Sequence, residues 1–599
     1  MSSARPLHQL ELSASSTFSN LEEFKDAVRL YALKENFTSK WEASKSKWVV
    51  AVCAHKKECE FRVRAHLDAT DSARVVVSTF KEGHVCAGQG TTKRQSFADH
   101  SFLKRLIQDC MVVDYSTKDA QIAAQLKLTH GIDLASSTVN KARVSLIGTD
   151  SQLQEREFQQ VEAWLTSVKT ADPKATTGHM SESGKFHSAF LASGAAKKAW
   201  EHCKPFVAVD GTFTKNRFNM VVLLAATMDA DSNLVILAWA LVPTESQATW
   251  EWFLGLLLQA FPTVGLPNTT IISDRQKGAL AAIKEKLPNT VEAYCCWHLA
   301  ENVKKHYGSE ARRIFWHLAY AETKAKFDKV MQTVADTNKG ASAYLADDAV
   351  AHKYWASYAF SGRRFGHVTS NLSEISNSAL RRQRELPALQ LMVAMYEYEM
   401  QHFHDRAKSS ALWKQTLAPH PHGMFLKALE ESRRMKCVTA NDRTGLVRDN
   451  NKKQFTVELA GDPTKELSSC TCGVPDLMLF PCPHVCCLAA ALKKNAIDYA
   501  WPTWRTDNLR STYSQPYIPV LSEQLSSNDL LPPTASKKRG RPQKKRMEAG
   551  QGRKGKNSAQ EGDDSPAGPS NSTPTIPAFC NTCGEPDHTT KQCRSAYDN

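Results

Sequence analysis

Three apolar runs, the first of them stopping at an acidic residue, constrain this chain more than any other feature. Phe206–Val209 is apolar and ends at Asp210, and Met220–Thr227 and Leu234–Leu241 follow as two further runs of buried-strand character. Thr249–Phe261 then has the spacing of an amphipathic, tryptophan-rich helix. Beyond it, Thr270–Ser273 is a short strand ending at Asp274, Gln276–Lys286 a helix, Val291–Cys295 a strand and His298–His306 a helix. This order requires a mixed sheet flanked by helices. Polar residues at the carboxyl ends of neighbouring strands in such sheets converge on one crevice, which makes Asp210 and Asp274 a candidate carboxylate pair. Asp-Gly and Asp-Arg after a strand are also ordinary turn residues.

Two converging carboxylates can share a metal. Phosphoryl transfer on DNA must stabilise an attacking and a leaving oxygen, and two Mg²⁺ or Mn²⁺ ions held by about three carboxylates do so. The third acid is sought after a helical, basic and aromatic insertion at about 307–368. The next helix begins around Thr369–Asn377, and Glu374 is the candidate there, with Glu301 on a nearby helix as the alternative.

At roughly 150 residues per domain, 599 residues make about four domains. Lys and Arg number 76 against 62 Asp and Glu, and the resulting +14 favours a polyanionic partner, nucleic acid first. No apolar stretch approaches the roughly 18 residues of a membrane span. Met1–Ser16 lacks the apolar segment of a secretory signal and carries Glu11, so a reducing compartment is expected. In that setting the 16 cysteines are read as metal ligands or packing residues rather than disulfides.

Their clustering singles out three zinc candidates. In an N-terminal β domain (15–92), the β-like runs Lys47–Val52, Phe61–Ala65 and Arg74–Phe80 carry Cys53 and Cys59 before the second run and His84 and Cys86 after the third. Ligand pairs at strand ends can close a tetrahedron, with His55 and His66 as competing donors. Further on (450–500), a strand at Phe455–Leu459 precedes Cys470-Thr471-Cys472 and Cys482-Pro483-His484, the latter opening an apolar helix. C-x-C followed by C-x-H ahead of a helix is a specific zinc pattern, in which the remaining question is whether Cys486 or Cys487 replaces a named ligand. At the end (579–595), Cys580, Cys583, His588 and Cys593 form a complete C-x2-C-x4-H-x4-C knuckle.

Two other segments bear on nucleic acid. Residues 98–150 read as helices around a turn at His130-Gly131, with Lys141 and Arg143 on the later helix; helix-turn-helix docking in a groove and plain three-helix packing both fit. From about 525 to 578 the composition becomes that of a disordered basic linker, with ten basic residues between Lys537 and Lys556. Its Arg539-Gly540-Arg541-Pro542 centre suits entry of two arginines into an A·T-rich minor groove as an AT-hook; the same charges also serve as a nuclear localisation signal.

Several of these words occur together in one family. Val209-Asp210-Gly211-Thr212-Phe213, Glu245 with Trp250-Glu251-Trp252-Phe253-Leu254, Ser273-Asp274-Arg275 with Gly278, Cys295-Cys296-Trp297-His298, and Ser373-Glu374 with Asn377 resemble the ordered signature of Mutator-like (MULE) transposases. The resemblance implies a ribonuclease H-like mixed sheet with a helical insertion (190–420) and an Asp, Asp, Glu triad, matching Asp210, Asp274 and Glu374. Cys295 and His298 match a C-x2-H element of that family, open to reading as a packed pair or as a brace of the crevice. The N-terminal segment resembles the zinc-finger fold of WRKY and far-red-impaired-response (FAR) DNA-binding domains. The later C-x-C and C-x-H pairs resemble the SWIM zinc finger, and the last motif a retroviral-type zinc knuckle.

The fold class expected is therefore multidomain α/β, with a ribonuclease H-like sheet, small zinc-binding domains and a basic tail. The activity implied is a DNA transposase that binds terminal inverted repeats in the nucleus as a homo-oligomer. It would use two to three structural Zn²⁺ ions and two catalytic Mg²⁺ or Mn²⁺ ions. The knuckle adds single-stranded nucleic acid as a partner, with protein contact as its alternative and an RNA-directed role behind both. The competing reading is a domesticated, transposase-derived transcription regulator that binds DNA without cutting it.

Overall fold

The computed structural model describes residues 7–35, 37–54, 59–69, 71, 74–83, 100–113, 117–132, 134, 136–148, 151–369, 383–522 and 525–533. Its α/β architecture divides into two compact units: Met1–Phe158 with Glu385–Ala394, and Gln159–Arg384 with Met395–Asn599. No described helix is long and apolar enough to cross a membrane.

In the first unit, β1 (Thr17–Phe18), α1 (Leu21–Lys34), β2 (Ser39–Ser44), β3 (Trp48–Cys53), β4 (Arg62–Leu67) and β5 (Val75–Lys81) precede three helices. The strands make an antiparallel sheet in the order β1-β5-β4-β3-β2. Helix α1 starts where the Asn20 side chain accepts the Glu23 N–H at 2.9 Å. Its Phe24 and Val28 join Phe61 and Val63 of the sheet side in one apolar core, which Phe102, Ile122 and Val139 from the helices complete.

The three helices are α2 (His100–Cys110), α3 (Asp119–His130) and α4 (Ser136–Gly148), with the turn at Gly131 between the last two. Gly131 caps α3 at φ +67°, a backbone state open to glycine at little cost. Of the two basic residues on α4, Arg143 faces the packed side. That side chain is buried, its Nε 2.7 Å from Asp119 Oδ1, while Asn140 Nδ2 donates to Asp119 Oδ2 at 3.1 Å. Val139 and Ala142 of α4 are core residues, so the face carrying Arg143 is the packed one; Lys141 remains exposed. Asp119→Ala, which strands a buried guanidinium, is expected to cost this unit about 3 kcal/mol or more in denaturant unfolding.

The second unit begins with α5 (Ser151–Ala171), which starts in the first, and a hairpin, β6 (Thr176–Glu182) and β7 (Lys185–Ala192), that sequence reasoning did not anticipate. The polar β6, T-T-G-H-M-S-E, sits at a sheet edge and lacks an apolar alternation to announce it. After α6 (Gly194–Trp200) come β8 (Phe206–Phe213), β9 (Val221–Met228), β10 (Leu234–Val242), α7 (Gln247–Ala260), β11 (Thr270–Ser273), α8 (Lys277–Lys286), β12 (Val291–Tyr294) and α9 (Cys296–Tyr307). The seven strands run β12-β11-β8-β9-β10-β7-β6. β11 is parallel to both β8 and β12, and the other pairs are antiparallel. Every residue of β9 and β10 is buried, as their unbroken apolar runs require.

Helices α10 (Ser309–Ala319), α11 (Lys324–Thr337) and α12 (Lys339–Ala346) follow, packed with α9 around Phe315, Trp316 and Trp355. Later come α13 (Ala388–Leu412), α14 (Pro419–Ser432) and a four-stranded sheet of β13 (Lys436–Thr439), β14 (Thr444–Arg448), β15 (Gln454–Glu458) and β16 (Ser469–Cys470). α15 (Val474–Met478), α16 (Pro483–Ala491) and α17 (Thr506–Thr512) complete the helices.

The carboxyl of Glu399 on α13 is tied into the second unit by Trp239 Nε1, which donates at 2.7 Å, and by the Tyr517 hydroxyl. Burial pushes this carboxyl up to about 8, against the lowering effect of both donors. Because the folded value lies above the unfolded one, its contribution is full below about pH 4.5 and declines as pH rises towards 8. Glu399→Gln is expected to flatten that decline in a series of denaturant melts.

Candidate functional site

Strand register sets the two expected acids at neighbouring positions of the sheet. β11 pairs in parallel with β8, Ser273 opposite Val209, so Asp274 and Asp210 are the next residues along two adjacent strands. Neighbouring strands lie about 4.8 Å apart. Asp210 is 8% exposed, and one of its oxygens accepts the Gly211 N–H at 2.9 Å. Asp274 is held by the start of α8: its Oδ1 accepts the Gln276 N–H at 3.1 Å, and the Gln276 side chain caps that helix.

A third carboxylate, Glu245, joins them from the β10–α7 connection. Its Oε1 is 3.4 Å from Trp250 Nε1, and its carbonyl accepts from Gln276 Nε2 at 3.4 Å. Sequence reasoning placed Glu245 in the family signature without a role. The available signal was position, because it lies in the first strand-to-helix junction of the motif just as Asp274 lies in the next.

The acids lie close enough to act on one another's charges. Burial lifts the Asp210 carboxyl to about 7; His298 pulls it down, and Asp274 and Glu245 push it up. Burial and then Asp274 raise the Glu245 carboxyl. Burial disfavours a charged His298, yet a hydrogen bond with Cys295 and the charges of Cys295, Asp210 and Asp274 outweigh it and raise the imidazole to about 9. Cys295 ends the β12 connection as the residue preceding α9, one turn before His298, so the pair reaches the acids from a third element. Asp210, Asp274 and Glu245 thus act on one another and on His298 through their charges, although their ligand atoms do not gather within 4.8 Å as a group of three; oxygen donors of this kind suit Mg²⁺ or Mn²⁺.

Glu374 lies outside the described residues, but the chain on either side of it is anchored at this crevice. The Cys296 N–H donates to Val368 O at 2.9 Å, Arg384 Nη1 donates to Thr212 Oγ1 at 2.5 Å, and the Lys215 N–H donates to Arg384 O at 2.6 Å. Glu301 instead pairs with Arg312, Oε1 to Nε 2.9 Å.

A separate cluster gathers Cys470, Cys472, Cys482 and His484, whose ligand atoms all lie within 4.8 Å of one another. It is the one such group of three or more among the described residues. His484 Nδ1 lies 3.6 Å from Cys470 Sγ and 3.7 Å from Cys482 Sγ. The sulfur–nitrogen edge of a tetrahedron around zinc is about 3.6 Å. Gly473 at φ +80° turns the chain after Cys472, and Cys482 caps α16, its sulfur accepting the Val485 N–H at 3.4 Å. Hydrogen bonds from Cys470 and Cys482 hold the Cys472 thiol well below the usual thiol range. Phe455 stacks on His484 at 3.8 Å. Cys486 and Cys487 are buried on α16 outside this group, and Cys487 hydrogen-bonds Cys437 instead.

In the first unit, Cys53 at the end of β3 and Cys59 before β4 are both buried, and the Cys53 N–H donates to Phe61 O at 3.3 Å. His66 pairs with Trp48 at the other end of β3, about 16 Å of strand away, which removes it as a competing ligand. His55, His84, Cys86, the Arg539–Pro542 motif and the knuckle residues Cys580, Cys583, His588 and Cys593 lie outside the described residues.

The sheet and its two clusters define a multidomain α/β protein with an acidic crevice at strand ends and a separate thiol–imidazole cluster suited to a metal. Residues 206–302, which contain the crevice, match the family model for the MULE transposase domain, and residues 11–77 match that for MuDR family transposases. The two matches cover separate parts of the chain, which are similar to a transposase domain and to the MuDR family model. The chain is also similar to the protein FAR-RED IMPAIRED RESPONSE 1 of Arabidopsis thaliana, 25% identical over 162 residues that cover 27% of this chain and 19% of that relative. The aligned part thus spans about a fifth of the relative's length.

Proposed function

We propose that the chain is a DNA transposase whose first unit recognises duplex DNA and whose central sheet, read as ribonuclease H-like, cuts and joins strands. The observation that carries this reading is the β8–β11 register, which sets Asp210 beside Asp274 within the MULE-matched segment. Glu374 is the third catalytic acid in this reading, supported by the anchoring of Val368 and Arg384 at the same crevice. Divalent cations bound there would supply charge stabilisation for the attacking and leaving oxygens of a phosphodiester. The protein's own part is to collect oxygen donors in a crevice buried enough that water does not screen them, and to hold His298 protonated beside them.

The Cys470, Cys472, Cys482 and His484 cluster is assigned to zinc as a SWIM finger. Cys53, Cys59, His84 and Cys86 would hold a second zinc, and the C-terminal knuckle a third. The Arg539–Pro542 motif would add minor-groove contacts and direct the protein to the nucleus, where it acts on terminal inverted repeats as a homo-oligomer.

The test is incubation of the full-length, zinc-loaded protein with supercoiled DNA carrying the flanking inverted repeats, with and without Mg²⁺ or Mn²⁺. Metal-dependent nicks at the repeat ends support the reading. Tight binding of the same DNA without any nick favours a regulator that has lost transposition, a second reading motivated by the similarity to FAR-RED IMPAIRED RESPONSE 1.

A further inference from the structure

The hairpin that follows Asp210 carries one inference more, which rests on the reading of the central sheet as one that handles DNA and not on cleavage. β11 stops at Ser273, opposite Val209, whereas β8 runs on to Phe213 with β9 as its remaining strand partner. At about 3.3 Å per residue, Phe213 lies about 10 Å beyond Asp210 along β8. Gly211 and Phe213 share one face of that strand, and on it a Cβ at Gly211 would lie 3.0 Å from the Glu245 carboxyl carbon. Phe213 is therefore the next side chain outward on that face, and it is 55% exposed.

The turn beyond it is pinned by hydrogen bonds. The Thr214 N–H donates to Met220 O at 2.8 Å, and the Asn216 side-chain oxygen accepts the Thr214 hydroxyl at 3.1 Å and the Phe218 N–H at 3.2 Å. The Lys215 N–H donates to Arg384 O at 2.6 Å. Burial alternates through this stretch: Thr212, Thr214 and Phe218 are buried, and Phe213, Lys215 and Arg217 are exposed. From Gly211 to Met228 the sequence holds Lys215 and Arg217 and no acidic residue. A single exposed apolar side chain is ordinary on a protein surface. Here the exposed ring stands next to two cations, on a pinned turn, beside the crevice of the MULE-matched segment. Rings that stack on bases, with cations that hold the phosphates, are the means by which unpaired nucleic acid is bound.

We propose that Phe213, Lys215 and Arg217 form a contact site for DNA that carries unpaired bases. Lys215 and Arg217 bind backbone phosphates, and the Phe213 ring stacks on a base that has left the duplex next to the crevice. The site then favours gapped or distorted DNA over intact duplex, because a base stacked within a duplex has no free face to offer the ring.

The test uses the full-length, zinc-loaded protein and two probes, an intact duplex and the same duplex with a short single-stranded gap, followed by fluorescence anisotropy over a salt series. Phe213→Ala is expected to weaken binding of the gapped probe about tenfold and binding of the intact duplex by less than about twofold. Phe213→Trp should restore the gapped affinity, with the melting temperature held in both variants. Lys215→Ala combined with Arg217→Ala is expected to weaken both probes and to lower the salt slope by about two. A 5-iodouracil placed in the gap should crosslink to Phe213, as mapped by mass spectrometry. Wild-type affinity of Phe213→Ala for the gapped probe, or an equal loss on both probes, would overturn the proposal. A changed oligomeric state in Phe213→Ala with gapped-DNA affinity intact would overturn it too, and would make the hairpin a contact between copies of the chain. Wild type that binds neither probe would remove the DNA-handling reading and this inference with it. The expected discrimination in a protein that never nicks DNA would uphold the inference and refute strand cleavage.

Discussion

Asp210→Asn is expected to lower metal-dependent nicking by about a thousandfold while leaving duplex affinity within about twofold. The size follows from what the carboxylate does in the proposed site. Charge stabilisation of the reacting oxygens by a bound cation amounts to several kcal/mol, and about 4 kcal/mol corresponds to about a thousandfold in rate. Asparagine keeps the volume and an oxygen able to accept the Gly211 N–H, so β8 retains its place between β11 and β9. What is lost is a buried carboxylate whose charged form His298 favours. Asp274→Asn should behave alike, because its oxygen can still accept from Gln276. Equal nicking by wild type and either variant, in one assay with matched DNA binding, would end the catalytic reading. A fall in both nicking and melting temperature would point to folding instead, which is why circular dichroism melts belong beside the kinetics.

The second large effect concerns the thiol–imidazole cluster. Cys482→Ser, or a strong chelator applied to the wild type, is expected to release one zinc per chain and to unfold the β13–β16 sheet with α15 and α16. The central seven-stranded sheet should keep its amide protection. Structural zinc contributes on the order of 10 kcal/mol or more to small sites of this kind. The small sheet has little else to hold it, since β13 and β16 are short and β13 is exposed at three of four positions. Its apolar support comes mainly from α16, with Val485 and Leu488 buried beside Val447 and Val457. The loop leading to Cys482 is fixed by Phe480 packed edge-on to Trp504 at 5.6 Å and by the Trp504 Nε1 bond to Met478 O at 2.8 Å. That anchor should survive zinc loss, giving a boundary of exchange near Met478 in hydrogen–deuterium measurements. Full metal content in Cys482→Ser would show that the cluster is not the zinc site, and unchanged exchange after chelation would show that the metal does not hold the sheet.

Much of the central sheet was legible because its strands are buried on both faces. Unbroken apolar runs such as those of β9 and β10 have few other folds open to them, and the Asp residues at their ends were visible as breaks in the pattern. The hairpin β6–β7 was not legible: an edge strand carries polar residues in no telling order. Asn20, Glu22 and Glu23 mark the start of helix α1 in a segment whose Cys and His spacing otherwise points to β structure. Charge alone left both orientations of Arg143 open, and the packing decides for the buried one beside Asp119.

The zinc-type cluster was readable to the residue, since four soft donors with one-residue gaps and a helix start have few geometries available, and neighbouring Cys486 and Cys487 were separated from it only by the turn of α16. Glu245 was readable only as a word in a family pattern. Residue identity, spacing and apolar period determined which strands form and which donors are candidates, since those depend on contacts within about ten residues of chain. The neighbouring placement of Asp210 and Asp274 depended on the register of β11 against β8, and room for Glu245 depended on Gly211. Those are contacts between segments tens of residues apart, set by packing that no local pattern encodes.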